Sequence, residues 1–310
     1  MLVECVANFS EGRRPEVVAA IVDAARGPGV HVLDVSADSD HHRCVLTLAG
    51  EGEAVAAAAW RAVAEAVTRI NLTQHRGTHP RMGAADVVPF VPLGDTPMAY
   101  CVALAEALGE RIAAELSVPV YLYGDAARRP SRRDLAHVRR GEFEGLAARM
   151  QKPSGVPDFG PAAPHPTAGA VAVGARQALV AFNAWLSTTD EAVADAVARA
   201  VRGSSGGLVG VKALAMNTTS HGQMQVSMNL VDFRATPLPA ALEMVRREAA
   251  RFGVAVTETE IVGMVPLAAL LASAQYYLQA HHFSVDQVLE LGLMDLASLQ
   301  PAAGAGGPMP

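Results

Sequence analysis

The sequence predicts an α+β fold made of two β-α-β-β-α-β units, and three observations predict it. The second half alternates extended apolar runs and helical stripes in that order. The first half opens with the same order of elements. A Pro/Gly-rich segment with few charges, 153–170, separates the two. With 310 residues, 51% hydrophobic and 18% charged, the chain can bury a core in each unit and has no compositional sign of disorder over its main body.

The second half reads most cleanly. Residues 178–186 form an apolar extended run, and Thr188-Thr189-Asp190-Glu191 is a capping-box pattern that opens a helix. Ala192, Val193, Ala196, Val197, Ala200 and Val201 supply one apolar stripe, which Gly203 ends. Strands follow at 208–216 and 222–232, with 217–221 as the turn between them. Thr236-Pro237 is an N-cap and first-turn pair for a helix carrying Leu242, Val245, Ala249 and Phe252 as far as Gly253. A strand at 254–264 completes the split βαβ, or ferredoxin-like, unit: helices on one face of a four-stranded antiparallel sheet.

The first half starts with a strand at 2–9 and a helix at 15–26. Strands at 30–36 and 43–49, an Ala/Val-rich helix at 51–70 and a strand at 86–91 follow. An additional helix (98–116), a strand (118–123) and a basic stretch (128–149) come after that. The expected division is 1–170 and 171–295, with the Pro/Gly/Ala-rich 296–310 as a disordered tail.

Bulk properties exclude several classes. The formal charge, 25 basic minus 31 acidic residues, is -6, which speaks against a general nucleic-acid binder. Cys5, Cys44 and Cys101 are odd in number and lack metal-like spacing, as in a reduced cytosolic protein. The strand-like start lacks the basic-then-apolar pattern of a leader, and the longest apolar run, 265–278, is too short to span a bilayer. Cytoplasmic location, with no membrane partner, is the expectation.

Between the helix at 51–70 and the strand at 86–91 lies His75-Arg76-Gly77-Thr78-His79-Pro80-Arg81-Met82-Gly83. Hydrophobic periodicity does not claim this loop, which combines two imidazoles and two guanidiniums, as proton transfer on an anionic substrate requires. Pro80 biases His79 toward extended backbone, and no Glu follows the histidines as in a helical zinc motif. The cluster Asp34, Asp38, Asp40, His41, His42 and Arg43 marks a turn between strands; its members are too adjacent to face one ion, so no metal is expected.

Other features have plainer alternatives. The strand Gln223-Met224-Gln225-Val226-Ser227-Met228-Asn229-Leu230 alternates strictly, and its uncharged polar face suits either solvent or the lining of a wet cleft. Arg128, Arg129, Arg132, Arg133, Arg139 and Arg140 are either a solvated face balanced by Glu142 and Glu144 or partners for substrate carboxylates. The loop Asp158-Phe159-Gly160-Pro161-Ala162-Ala163-Pro164-His165-Pro166-Thr167-Ala168-Gly169 is either a linker or a backbone cradle for a planar ligand.

Six segments carry a family resemblance: VECVANFSEGR, HRGTHPRMGAADVVPFVP, VPVYLYGDAAR, the DFGP loop, QVSMNLVDF and EIVGMVPLAALL. Together, over about residues 2–280, they resemble the formiminotransferase part of the formiminotransferase-cyclodeaminase family. The resemblance implies two ferredoxin-like subdomains with sheets facing a central cleft or tunnel, helices outside, in a homodimer. It implies glutamate formimidoyltransferase activity: transfer of the formimino group of N-formimino-L-glutamate to N5 of tetrahydrofolate, the co-substrate, in histidine degradation. It places the catalytic histidine at His79 and the folate-binding stretch at Gly160, Pro161, Ala162, Ala163, Pro164, His165, Pro166, Thr167, Ala168 and Gly169. Ala168 stands where the family often has a bulky aromatic, and His42 departs from the family's D-H-N-R-like turn. The matching segments all belong to the formiminotransferase part, so a single-activity enzyme is the expectation.

In the expected reaction His79 acts as general base and shuttle. Arg81 and Arg43 are candidates to steer carboxylates, and His42, Asp34, Asn183, Asn229 and Asp232 are candidates for polar contacts. Formyl transfer between 5-formyltetrahydrofolate and glutamate, or a folate-binding protein without catalysis, are the alternatives.

Overall fold

A computed structural model describes residues 1–77, 80–218 and 222–293. The chain divides into two compact units, Met1–Ala178 and Leu179–Pro310. The expected tail, 296–310, lies outside the described residues.

The first unit begins β1 (Leu2–Phe9), α1 (Pro15–Ala25), β2 (Val30–Asp38), β3 (Arg43–Glu51), α2 (Gly52–Arg69) and β4 (Ala85–Pro92). It continues with α3 (Met98–Leu116), β5 (Val120–Gly124), two short helices α4 (Leu135–Arg139) and α5 (Glu142–Met150), and β6 (Val171–Ala175). Alternation in β1 sets its two faces: Val3, Cys5, Ala7 and Phe9 are fully buried while Glu4, Val6 and Asn8 are half-buried. The buried set packs on α1, α2 and α3. Alanines at 58, 59, 62 and 66 give α2 a small-residue face that is wholly buried.

Six strands pair in the order β2-β3-β1-β4-β6-β5. The first four are antiparallel, whereas β4, β6 and β5 run parallel to one another. Strand β6 therefore belongs to the first sheet. The sequence reading ended the first unit at residue 170 and left this strand in the second; its apolar run is too short to reveal which sheet it joins.

The basic stretch meets its solvated-face expectation only in part. Arg128, Arg133 and Arg140 are exposed, but Arg132 and Arg139 are not. Arg132 and Asp158 are both 5% exposed and pair at 2.5 Å, and the Arg132 and Arg149 guanidiniums lie 4.9 and 4.6 Å from the Tyr121 ring. Helices α4 and α5 bring Val138, Leu146 and Met150 onto Tyr121, Tyr123, Val87 and Ala172. A second, smaller core thus covers the face of the sheet opposite α1, α2 and α3, over the β5–β6 end.

The second unit contains β7 (Val180–Leu186), α6 (Glu191–Val201), β8 (Val211–Thr218), β9 (Gln223–Leu230), α7 (Leu238–Ala250), β10 (Val256–Val262) and α8 (Leu267–Leu278). Its sheet is ordered β10-β7-β9-β8, antiparallel throughout. Each pair of strands joined by a helix is separated by one antiparallel strand, and β2-β3-β1-β4 of the first unit repeats that order. Asp190 caps α6 by accepting the Ala192 amide at 2.8 Å. The expected Thr236 cap is not formed: Pro237 holds the N-cap position, and Thr236 Oγ1 donates to the Val209 carbonyl at 2.6 Å.

Among the described residues, no helix is long and apolar enough to cross a membrane.

Candidate active site

Thr78 and His79 lie outside the described residues, so the site is built from the segments that flank them. On one side, Gly77 rests against the β2–β3 turn. A Cβ there would stand 2.5 Å from the His41 carbonyl oxygen and 2.7 Å from His42 Cβ. No larger residue fits without moving that turn.

On the other side, residues 80–84 are woven into the 165–170 stretch. The Ala84 amide donates to the Ala168 carbonyl at 2.9 Å, the Ala170 amide to the Met82 carbonyl at 3.0 Å, and the Leu72 amide to the Thr167 carbonyl at 2.8 Å. Ser10 Oγ donates to the Gly83 carbonyl at 2.7 Å. Gly169 has φ +68° and its Cβ position lies 2.2 Å from the Met82 carbonyl, so only glycine permits this approach. The motif of His79 and the expected folate stretch are thereby held by one backbone weave.

Within the stretch, Gly160, Pro161, Ala162, Ala163 and Pro166 are exposed, Pro164, His165 and Thr167 are half-buried, and Ala168 and Gly169 are buried. His165 and Gly169 exchange backbone hydrogen bonds at 2.9 and 3.0 Å. His165 Nδ1 accepts the Ala168 amide at 3.0 Å, which fixes a ring with its proton on Nε2. Burial holds its pKa below the ordinary value.

A histidine pair supports the loop from beneath. His42 and His75 stack with centroids 4.0 Å apart. His42 Nδ1 donates to the Arg76 carbonyl at 2.9 Å, and Nε2 faces Glu11 Oε1 at 3.2 Å. Burial alone would raise the Glu11 carboxyl, but amides of Arg13 and Arg14 and the Arg14 side chain donate to it and hold its pKa below normal. Both His42 nitrogens thus face acceptors. His75 Nε2 donates to the His42 carbonyl at 2.9 Å, and Nδ1 accepts Arg81 Nε at 3.1 Å. With both ring atoms engaged, His75 is a strut. Burial first, and then proximity to His42 and to the Arg81 guanidinium, lower its pKa despite its bond to the His42 carbonyl.

Arg81 does not present its guanidinium to a substrate in this arrangement. Its head group also donates to Glu142 at 3.1 Å and to Glu144 at 2.7 and 2.8 Å, so the fork is filled by the protein. The Glu144 side chain is the first cause of its raised pKa.

Arg43 lies on β3, paired with Asp38 across the ladder. Burial, and next the charge of Arg139, push its pKa down to about 10 against the pull of Asp86 and Asp38. Asp34 is half-buried on the edge strand β2. Asn183, Asn229 and Asp232 belong to the second unit. Asn183 donates to Glu260 at 3.1 Å, Asn229 is exposed on β9, and Asp232 accepts the amides of Arg234 and Ala235 at 3.2 and 3.0 Å. The Asp232 carboxylate thus caps a turn.

Sequence reasoning did not single out Glu11 or Asp86 as site candidates, nor His75 as a strut, and it had Arg139 only as one of six arginines in the basic run. Glu11 sits inside the VECVANFSEGR segment, which marked the region without marking the residue. The three cysteines are buried, with thiols raised mainly by burial, and so are poor nucleophiles. Asp38 and His41 pair at 2.9 Å, and among the described residues no group of three or more His, Cys, Asp or Glu is arranged to hold a metal.

Two family models match the chain: the formiminotransferase domain, N-terminal subdomain, over residues 2–176, and the formiminotransferase domain over residues 181–303. The chain belongs to the formiminotransferase family. A protein of Streptococcus pyogenes serotype M1 named glutamate formimidoyltransferase is 43% identical, with 94% of this chain and 99% of that one covered. One of the same name from Thermoplasma acidophilum is 45% identical over 96% and 99%. The formimidoyltransferase-cyclodeaminase of Mus musculus is 42% identical over 97% of this chain and 58% of its own length. The two matched formiminotransferase domains coincide with the two compact units, and the segment of His79 and the weave around it lie in the first.

Proposed function

We propose that this protein is a glutamate formimidoyltransferase, moving the formimino group of N-formimino-L-glutamate to N5 of tetrahydrofolate in histidine breakdown, with His79 as general base. The observation that carries the reading is identity of 43% and 45% to two proteins of that name over nearly their whole length. The site residues fit the chemistry. The stretch from Gly160 to Gly169 offers exposed backbone and small side chains beside the His79 segment, with no charged side chain to exclude a planar ring.

His79 takes the proton that N5 sheds as it bonds to the formimino carbon, then returns one to the glutamate nitrogen as that bond breaks. An imidazole with an ordinary pKa near ~6.5 performs both at neutral pH. General acid-base help of this kind is worth roughly 10²–10⁴-fold, and holding both substrates in line supplies the remainder. His75 and His42 position the loop and exchange no proton with substrate, because their ring nitrogens already face protein partners.

The protein acts on small molecules, not nucleic acid or membrane, as a cytoplasmic homodimer. The test mixes purified protein, tetrahydrofolate and N-formimino-L-glutamate and follows the folate product and released glutamate. Formation of both supports the reading. Formyl transfer from 5-formyltetrahydrofolate to glutamate alone, or folate binding without any transfer, contradicts it.

A further inference from the structure

We propose that helix α8 pairs with α8 of a second copy of this chain; this gives the homodimer named above a surface and rests on that oligomeric state, not on the transferase chemistry. Residues 261–280, which span the end of β10 and all of α8, contain no Asp, Glu, Lys or Arg in a chain that is 18% charged. A helix that is apolar on nearly every side is ordinarily buried. In α8 only Ala269 is buried. From Met264 to Leu293, nine large apolar side chains are 37% to 73% exposed, which leaves on the order of 800 Å² open, about what each partner of an ordinary dimer covers.

The open side has the spacing of a helix pair. Leu267, Leu270, Ala274 and Tyr277 recur at intervals of three and four along one side of α8, with Leu278 beside them, and this is not the side of Ala269. In an antiparallel arrangement about a two-fold axis, Leu267 meets Tyr277 of the other copy, and Leu270 meets Ala274, large against small. Tyr277 is held ready for this contact. Its hydroxyl donates to Glu243 on α7 at 2.8 Å, and the Tyr276 ring stands edge-on to it at 5.0 Å. At the same end of the helix, an open hollow of about 770 Å³ is lined by Tyr276, Tyr277, Gln279 and His281. The two-fold brings Met264, which is exposed, to that end, and methionine fills irregular space. Near a two-fold axis a residue faces its own copy, so like charges would meet there. A stretch of twenty residues without charge therefore suits a second copy of the chain. It does not suit a membrane surface, whose interfacial helices carry Lys and Arg.

Sedimentation velocity over a concentration series reads assembly of the whole chain without any need of activity. Wild type is expected to be a dimer. Leu270→Glu, which would bury an unpaired carboxylate at the contact, is expected to weaken dimerisation by at least roughly a hundred-fold while its circular dichroism spectrum stays that of wild type. If Leu270→Glu does not fold, Leu278→Gln decides: the position is 73% exposed in one copy, and a loss of roughly ten-fold is expected. A dimeric wild type whose variants dimerise with unchanged affinity overturns the surface and leaves the homodimer standing. A monomeric wild type overturns both. Vesicles of phosphatidylserine and phosphatidylcholine that retain such a monomer, but not Leu270→Glu, would assign the helix to a membrane. Variants that unfold at lower temperature than such a monomer would assign it to cover by the chain itself. None of these outcomes depends on formimino transfer, which the assay of the preceding section reads separately.

Discussion

His42 and His75 stack almost face to face, their ring planes 9° from parallel, with Glu11 beyond one ring and Arg81 beyond the other. The pair joins the β2–β3 turn to the loop that leads into His79, and its hydrogen bonds require His75 to be neutral. A folded-state pKa below the ordinary 6.5 means that the unfolded chain binds the proton more readily. The stability from neutral His75 is complete above that value and is lost as pH falls through the folded pKa. His165 contributes in the same direction. Glu11, held below 4.5, adds a second loss further into acid.

The expected outcome is that urea midpoints fall between about pH 7 and about pH 5, and fall less in His75→Gln, which removes one of the two described imidazoles whose pKa folding lowers. Midpoints with the same slope against pH in both proteins contradict the neutral strut.

Gly169→Ala tests the weave between the two motifs. A methyl group at this position meets the Met82 carbonyl in a backbone conformation that favours glycine. A cost of at least about 1–3 kcal/mol is expected from strain alone, with folate affinity and turnover lost together. Calorimetric unfolding and folate titration read the two effects, and a variant as stable as wild type contradicts the geometry.

Arg81→Met separates a structural arginine from a substrate-binding one. Removing the fork leaves His75 Nδ1 without its donor and costs about 1–3 kcal/mol, the partly exposed Glu142 and Glu144 adding little. Lower thermal stability with the KM for N-formimino-L-glutamate near wild type is expected. A raised KM at unchanged stability would return Arg81 to the list of carboxylate receptors.

The fold was largely legible because its signals are local. Alternation in β1 and β9, the Asp190 cap of α6 and the alanine stripe of α2 each declare an element within a few residues. Strand β6 was not, since five apolar residues do not say which sheet they join. Of the site, the sequence showed the loop of His79 and the turn of His42 as polar clusters in unclaimed positions. It did not show that Arg81 is saturated by Glu142 and Glu144, some sixty residues away, or that Asp86 reaches Arg139. Long-range pairing of charges leaves no period in a sequence.

The measurement that bears most directly on the account is turnover and folate affinity of His79→Ala. The account predicts that tetrahydrofolate binds as in wild type while transfer slows by roughly 10²–10⁴-fold. Transfer at the wild-type rate, or folate affinity lost along with it, would contradict a proton-carrying imidazole at this position.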